Sequence, residues 1–438
     1  MNIFRKHKKL FYPFLILIFL LITAGVTRNK EISNITFGNK KIVADTSKFI
    51  NDLLNSNLKG FDSILKRPDK YEVQIIYTQI NRDKSNKPSF KQYSYRLNSN
   101  EYFNPASLVK LPTLCTTFEK LNNLKIEGLS KYSRLKILSS HKCQVAVEKD
   151  TSSAGGFPSI ANYAKKILLI SDNDAYSRLY EFLGQEYLNK RLWNMGYPNA
   201  LIIQRFAFCG YDDNRFTNPF IFFNDKGDTI YKQQMVESSL KLSNPLGIVK
   251  KGKGYINGSN KLVNEPCDFT YSNNLCLEDI NNILLSVIFP EVTPQNKKFN
   301  LTNDDYNFLY KYMSMLPKES VHPTYKNDSL YWNSLKKYFI YGDKKKIDDY
   351  SNLKSFNIVG QAFGYLSDCA YIVDFDNKIE FILSAVIYVN EDQIFNDNKY
   401  EYFTIGLPFL ANVGKVFYNY ELKRKKAYLP NLEKFKDL

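Results

Sequence analysis

Apolar and polar positions follow two different periods along the chain of 438 residues, and the changes of period predict where strands and helices lie. Near the start, Phe49 to Leu65 has the spacing of a helix. Tyr71 to Ile80 and Gln92 to Leu97 then alternate like strands on either side of the turn-rich segment Asn81 to Pro88. The opening of the chain is therefore predicted to be a helix followed by a β-hairpin.

Two helices with apolar stripes are predicted next. In the first, apolar residues recur at helical spacing from Leu108 to Leu121, and Pro105 marks its start. Ser107 therefore lies in or just before the first turn. The second helix begins at about Ser159, and Ser171 falls where its apolar stripe would continue. A hydroxyl group at such a position is a candidate functional group.

The middle of the chain, to about residue 350, is predicted to be rich in helices. Leu277 to Phe289 and Asp304 to Leu316 show the clearest helical spacing. The stretch from Phe220 to Cys276 contains many Gly, Asn and Lys residues in turns, and we expect it to be an insertion of strands and loops.

From Phe356 the pattern returns to strands. Ala370 to Phe375 and Phe381 to Val389 flank the turn Asp376-Asn377, and a last helix is predicted around Phe409 to Leu422. Strands at both ends that enclose helices predict an α/β (α+β) fold, in which an antiparallel sheet is formed from both chain ends with flanking helices and an inserted all-helical subdomain.

The expected domain organisation follows from this order. One domain is predicted over residues 45–425, with a sheet subdomain at about 45–115 and 355–425 and a helical subdomain at about 116–354 that carries the 220–276 insertion.

Residues 1–27 have the order of an export signal. Basic residues from Arg5 to Lys9 precede the uncharged apolar run Leu10 to Val26, which ends in small residues. A cleaved signal peptide and a retained anchor in the inner membrane both fit this segment. In either case we expect the rest of the chain to be periplasmic or otherwise outside the cytoplasm.

Charge and composition exclude several classes of function. The net charge is +16, but the lysines are spread along the chain and are not interleaved with aromatic residues as on a strand-binding surface, so we expect no nucleic-acid partner. Six cysteines without a C-x-x-C motif and three histidines predict no metal site, and no cofactor is expected. Cysteine pairing and oligomeric state stay open.

Candidate chemistry lies in two short motifs. Ser107-Leu108-Val109-Lys110 places a lysine beside a serine, because positions i and i+3 share a helix face. A neutral lysine can take the proton of a serine nucleophile. Ser171-Asp172-Asn173 adds a hydroxyl and an amide. The Ser-x-x-Lys spacing also occurs elsewhere, for example from Ser334 to Lys337, and Ser107 could be only a helix cap.

Pro105 to Pro112 and Ile170 to Ala175 resemble the first two signatures of the class A β-lactamase and penicillin-binding serine hydrolase superfamily. The resemblance implies an antiparallel sheet beside an all-helical subdomain. It also implies roles: Ser107 as the acylated nucleophile, Lys110 as its base, Ser171 as the proton shuttle and Asn173 as an amide that orients the substrate. The implied partner is a small-molecule β-lactam or a peptidoglycan-like peptide.

The chain departs from this family at the third motif, a Lys-Thr/Ser-Gly on a sheet strand. Ile358 and Val359 stand at the positions of the lysine and the hydroxyl residue, whereas Gly360 is kept. We expect Gly360 and the following Gln361 to contribute to substrate binding.

A second departure concerns the loop glutamate that activates the deacylating water in class A enzymes. Arg205 is similar to the residue that opens that loop, but no Glu occurs between Met195 and Asn224. The candidates to replace the missing third-motif residues and the missing loop glutamate are Asp212, Asp213 and Lys354.

Three hypotheses follow. The first is an exported serine hydrolase that forms an acyl-enzyme with a β-lactam or a cell-wall-like amide. The second is a penicillin-binding protein or D-alanyl peptidase that deacylates slowly. The third is a non-catalytic envelope-binding protein that retains the fold.

Overall fold

The computed structural model describes residues 36–37, 40–41, 44–46, 48–57, 59–141, 145–206, 210–327, 329–436 and 438. The predicted leader at residues 1–27 lies outside these ranges, and so do Cys143 and Cys209. Within the described residues, no helix combines the length and apolar character that a membrane crossing requires.

The described strands, numbered in chain order, are β1 (Thr36–Phe37), β2 (Lys40–Lys41), β3 (Ala44–Thr46), β4 (Gln74–Arg82), β5 (Pro88–Tyr95), β6 (Arg134–Ile137), β7 (Phe220–Phe223), β8 (Thr229–Gln233), β9 (Lys250–Lys251), β10 (Gly254–Ile256), β11 (Leu262–Val263), β12 (Cys267–Asp268), β13 (Leu353–Ala362), β14 (Tyr365–Asp374), β15 (Ile379–Tyr388) and β16 (Ile394–Phe395). The helices are α1 (Lys48–Asn57), α2 (Asp62–Leu65), α3 (Lys110–Leu124), α4 (Ile160–Ile170), α5 (Asn173–Leu183), α6 (Gln185–Asn194), α7 (Leu277–Ile288), α8 (Asn303–Ser314), the short kinked α9 (Tyr338–Tyr341) and α10 (Leu407–Lys423).

The main sheet is built from both ends of the chain, in the order β13-β14-β15-β4-β5-β3. Its pairs are antiparallel except for β3, which runs parallel to β5. Helices α3 to α8 come from the chain between the two groups of strands. The predicted α+β fold class is confirmed.

The sheet is buried on both faces because helices cover each side. In β14, Tyr371 and Val373 face the core shared with α7, whereas Ala370 and Ile372 face the core shared with α10. The ring of Phe417 on α10 stacks on Tyr77 of β4, with ring centroids 4.8 Å apart.

Several predicted elements have different bounds in the structure. The predicted helix Phe49 to Leu65 is two helices, α1 and α2, because Gly60 between them has a left-handed φ of 89°. Strand β14 begins five residues before its predicted start at Ala370. Its first half contains the polar Ser367 and Asp368, which are buried and therefore break the apolar pattern.

The prediction that the middle region is helix-rich to about residue 350 is wrong beyond α8. Residues 317–352 are mostly irregular, with a short turn at Pro317–Glu319 and the kinked α9. Ile340 within α9 has a left-handed φ of 70°, which a continuous helix does not allow. The bounds of the two subdomains stay a prediction.

Close packing of α10 on α9 depends on Gly414. A Cβ atom at this position would lie 2.6 Å from the backbone nitrogen of Ile340 and 2.9 Å from the Cβ of Phe339. Gly414→Ala should lower the free energy of unfolding by about 1–2 kcal/mol in denaturant titrations, although alanine is the better helix former by roughly 1 kcal/mol.

Gly155→Ala is the matched control, because nothing lies within 4 Å of the Cβ it would add and its φ is not left-handed. It should leave the unfolding free energy unchanged or raise it slightly. If Gly414→Ala is as stable as this control, α9 does not depend on close contact with α10.

Candidate active site

A cleft of about 320 Å³ lies where the two sequence motifs meet the end of β13. The other walls of the cleft are formed by residues 332–342, here called the cleft loop, and by the start of α10. The lining residues are Ser107, Ile170, Ser171, Asn173, Trp332, Ser334, Leu335, Lys336, Tyr338, Gly342, Val359, Gln361, Phe403 and Leu407.

Ser107 lies in a single 3₁₀ turn, Ala106–Val109, that leads into α3. Leu108 and Val109 are fully buried and fix this turn, while Ser107 is partly exposed to the cleft. Ala106 has a left-handed φ of 45°, which costs a non-glycine residue about 1 kcal/mol. The side chain of Asn104 accepts a hydrogen bond from the Ala106 N–H at 2.9 Å and supports this conformation.

Lys110 begins α3 and is fully buried behind the serine. Its Nζ donates to the backbone carbonyl of Ser171, to Ser171 Oγ at 3.0 Å and to Asn173 Oδ1 at 2.8 Å. Burial lowers the pKa of Lys110 well below its usual value, and the nearby Lys336 lowers it further. Because burial and the second lysine disfavour the charged form, Lys110 can lose its proton and serve as a base.

The second motif joins two helices at the cleft. Ser171 ends α4 in a left-handed conformation, with φ of 59°, and its N–H donates to the carbonyl of Ile167 at 2.9 Å. Asp172 then caps α5, because its carboxylate accepts from the Ala175 N–H at 2.7 Å. This turn directs the Ser171 hydroxyl and the Asn173 amide toward the same ammonium.

Gly360 brings β13 against the 3₁₀ turn that contains Ser107. A Cβ atom at this position would lie 2.6 Å from Ser367 Oγ and 2.7 Å from the carbonyl oxygen of Pro105. Gln361 follows at the edge of the cleft, and its Oε1 accepts a hydrogen bond from the Tyr338 hydroxyl at 3.2 Å. Of the predicted site residues, Ser107, Ser171, Asn173 and Gln361 line the cleft, Lys110 lies behind it, and Gly360 sets its width; their roles stay predictions.

The three proposed replacements lie elsewhere. Asp212 and Asp213 belong to the turn Asp212–Arg215, where Asp213 Oδ1 is 3.5 Å from His141 Nε2. Lys354 is at the far end of β13 from Gly360. No Asp or Glu is among the residues that line the cleft in the described part of the chain.

Arg205 anchors, by hydrogen bonds to Glu181 and Phe216, the start of the segment in which the class A family has its loop glutamate. Its Nη2 donates to Glu181 Oε1 at 2.7 Å and to the carbonyl of Phe216, and both side chains of the pair are buried. The next residue, Phe206, places its ring centroid 5.2 Å from Lys110 Nζ. An aromatic ring therefore lies beside Lys110. Arg205 anchors this part of the chain, and the described residues that line the cleft include no carboxylate.

Lys336 of the cleft loop was missed by the motif search. Its Nζ donates to the carbonyls of Ile167 and Leu168, at 3.0 and 2.6 Å, at the end of α4. Burial lowers the pKa of Lys336 to about 7, although Asp368 opposes the shift. The only signal in the sequence is a Lys-Lys pair in an aromatic stretch that lacks helical spacing.

Ser334, which has Lys337 three residues later, also lines the cleft. Its hydroxyl donates to the carbonyl of Lys344. Lys337 points away and donates to the carbonyls of Met313 and Ser355 at 2.6 and 2.8 Å. This second Ser-x-x-Lys therefore holds the cleft loop and does not form a nucleophile and base pair.

Comparison with solved structures gives β-lactamase-like neighbours of low sequence identity. A β-lactamase from Xanthomonas campestris has 12% identity over 86% of this chain and 99% of its own, with a TM-score of 0.46. PBP-A has 11% identity over 86% and 98%, with a TM-score of 0.45. A β-lactamase from Sphaerobacter thermophilus has 8% identity over 84% and 94%, with a TM-score of 0.43.

No curated protein matches this chain. Residues 61–246, by contrast, match the model of the family described as the beta-lactamase enzyme family. This segment contains both motifs, and at the level of the family it indicates an enzyme of the serine hydrolase type. The predicted resemblance to the β-lactamase-like serine hydrolase superfamily is thereby confirmed.

Proposed function

We propose that this protein is an exported serine hydrolase that forms an acyl-enzyme at Ser107 with a β-lactam or a cell-wall-like amide. The observation that carries the proposal is the convergence of both motifs on the amine of Lys110. Lys110 Nζ lies within hydrogen-bond distance of Ser171 and Asn173, and Ser107 opens onto the same cleft.

In the proposed reaction, Ser107 Oγ attacks the carbonyl carbon and its proton passes to neutral Lys110. Backbone N–H groups, among them that of Ser107 in the turn before α3, would stabilise the negative oxygen of the tetrahedral intermediate. Ser171, whose Oγ is 3.0 Å from Lys110 Nζ, then delivers the proton to the leaving nitrogen as the C–N bond breaks. The product of this half-reaction is an ester of Ser107.

Hydrolysis of that ester needs a base for the incoming water, and the cleft favours a slow second step. The residues that line it in the described part of the chain include no carboxylate, and Phe206 lies beside Lys110. We therefore favour a long-lived acyl-enzyme, as in a penicillin-binding protein or D-alanyl peptidase, over rapid β-lactam turnover.

Labelling by a penicillin tests the nucleophile. Wild-type protein, produced as the chain that follows the leader, should gain the mass of one penicillin, because the ester retains the whole opened β-lactam. Ser107→Ala should gain none, as followed by intact mass over time. Decay of the adduct over hours would support the slow second step, whereas decay within seconds would show rapid hydrolysis.

Ser334→Ala is the matched control, because Ser334 is the other cleft serine with a lysine three residues later. It should keep the adduct. An adduct that persists in Ser107→Ala would refute the assigned nucleophile. No adduct in the wild type would favour a substrate other than a penicillin, or the non-catalytic binding protein.

The role of Lys110 as base predicts a pH dependence. Only the neutral amine accepts a proton, so the acylation rate should rise with pH up to the pKa of Lys110, which burial places well below 10.5. Lys110→Arg should lower the acylation rate about 100-fold or more at pH 7, because a guanidinium stays protonated. A pH profile unchanged in this variant would exclude Lys110 as the base.

Gly360→Ala tests the close approach of β13 to the 3₁₀ turn that contains Ser107. The added Cβ would meet the Pro105 carbonyl oxygen, which belongs to the backbone and cannot rotate away. Stability should fall by about 1–3 kcal/mol, and acylation should slow at least 10-fold as the turn shifts. Gly258→Ala, which meets nothing within 4 Å, should change neither measurement.

A further inference from the structure

A second groove, of about 700 Å³, shares no lining residue with the cleft. It lies between the last turns of α3, the end of α5 and helix α6, and the chain from Gln295 to Asn300 adds a further wall; it is here called the α6 groove. Lys120, which lines it, is ten residues beyond Lys110 on α3, or about 15 Å along the helix. The α6 groove is therefore a separate place from the one where the two motifs meet.

The acidic side chains of the α6 groove are already paired. Its charged lining residues are four basic and two acidic ones. Glu119 Oε2 accepts from Arg191 Nη2 at 3.0 Å, and Glu186 pairs with the lysine four residues later on α6. The other two cations, Lys120 and Lys298, have no carboxylate partner among the described residues. Two positive charges of the groove are thus left without a counter-ion.

Lys120 is held at the groove by neutral groups. Its Nζ donates to the carbonyl of Phe182 at 2.5 Å and to Gln233 Oε1 at 2.7 Å, which uses two of its three N–H groups. The ring centroids of Phe182 and Tyr187 lie 4.4 and 5.4 Å from the same Nζ. Burial lowers the pKa of Lys120 to about 8, and an anion beside it would favour the charged form.

Lys298 supplies the second cation. Its carbonyl accepts a hydrogen bond from Arg191 Nη2 at 3.0 Å, which attaches its backbone to α6. Its side chain makes no ion pair or hydrogen bond with any residue in the described ranges. The charge of Lys298 can therefore pair with a ligand without breaking a contact inside the protein.

The α6 groove also has an apolar part. Leu183 at the end of α5 is buried, whereas Tyr187 and Val236 are 37% and 45% exposed. Large apolar side chains at a concave surface favour a ligand with an apolar body. Together with the two unpaired cations, they are complementary to a molecule that is anionic at one end and apolar at the other.

We propose that the α6 groove binds a small organic anion, in which a phosphate or a carboxylate is attached to an apolar body. The anionic group would pair with Lys120 and Lys298, and the body would contact Tyr187 and Val236. Neither motif contributes to this site, so the inference goes beyond the proposed function and does not depend on acylation.

The experiment separates the charge of the ligand from its apolar body. Binding to the protein is measured by isothermal titration calorimetry with 1-naphthyl phosphate, with 1-naphthol, which lacks the charge, and with inorganic phosphate, which lacks the body. 1-Naphthyl phosphate should bind at least 10-fold more tightly than either of the other two compounds, because only it can use both parts of the groove.

Variants then locate the bound anion. Lys298→Met should weaken binding of 1-naphthyl phosphate at least 5-fold, because it removes one of the two unpaired charges and no hydrogen bond. Lys297→Met is the matched control, since the neighbouring residue does not line the groove, and it should leave the affinity unchanged. Lys120→Met should weaken binding by a similar factor, and Lys120→Gln keeps a donor for the Phe182 carbonyl if the methionine variant does not fold.

An affinity that stays the same in the Lys298 and Lys120 variants would mean that the anion binds elsewhere and would overturn the inference. Equal affinities for the three compounds, or no binding of 1-naphthyl phosphate, would overturn it as well. A dimer in solution that Lys298→Met converts to a monomer would show that a second copy of the chain occupies the groove, which also contradicts the inference. None of these results bears on Ser107, because penicillin labelling is measured separately.

Discussion

Burial of lysine amines whose hydrogen-bond partners in the described part of the chain include no carboxylate is the constraint on which the cleft depends. Lys110, Lys336 and Lys337 are each at most 4% exposed, and each donates to backbone carbonyls. A buried charge costs several kcal/mol unless polar groups surround it. Helix ends supply such groups, because their last carbonyls lack partners within the helix.

Lys110 and Lys336 both donate to carbonyls at the end of α4. This shared partner explains why the cleft is assembled from distant parts of the chain. Helix α4 must end where Lys110 enters, so Ser171 takes a left-handed conformation that stops the helix and exposes its carbonyl. The cleft loop must reach the same helix end, and Lys336 brings it there. Because Gly360 has no side chain, β13 can approach the backbone of Pro105 more closely than any other residue at this position would allow.

The fold and the meeting of the two motifs at one cleft could be predicted from the sequence for a common reason, which is that both depend on local spacing. The apolar stripe of α3 places Ser107 and Lys110 on one turn, and the stripe of α4 ends at Ser171. Lys336 could not be found in this way, because its partners are backbone carbonyls about 170 residues earlier and leave no pattern of side chains. The buried polar start of β14 was missed for a related reason: Asp368 supports the cleft loop through Asn357 and does not serve the apolar core.

Arg205 shows that two features implied by the family resemblance can occur separately. One is a buried arginine that anchors its segment, and the other is a carboxylate that activates water for hydrolysis. Arg205 is buried with Glu181, and breaking such a pair typically costs about 3–5 kcal/mol. This pair therefore has a structural role that is independent of hydrolysis. The base for water is a separate requirement, and at the position beside Lys110 the chain has the ring of Phe206. Under the proposed function, acylation needs only a nucleophile, a neutral lysine and donors for the oxyanion, and this site is compatible with that first half of the reaction. The described residues that line the cleft include no carboxylate to speed the second half.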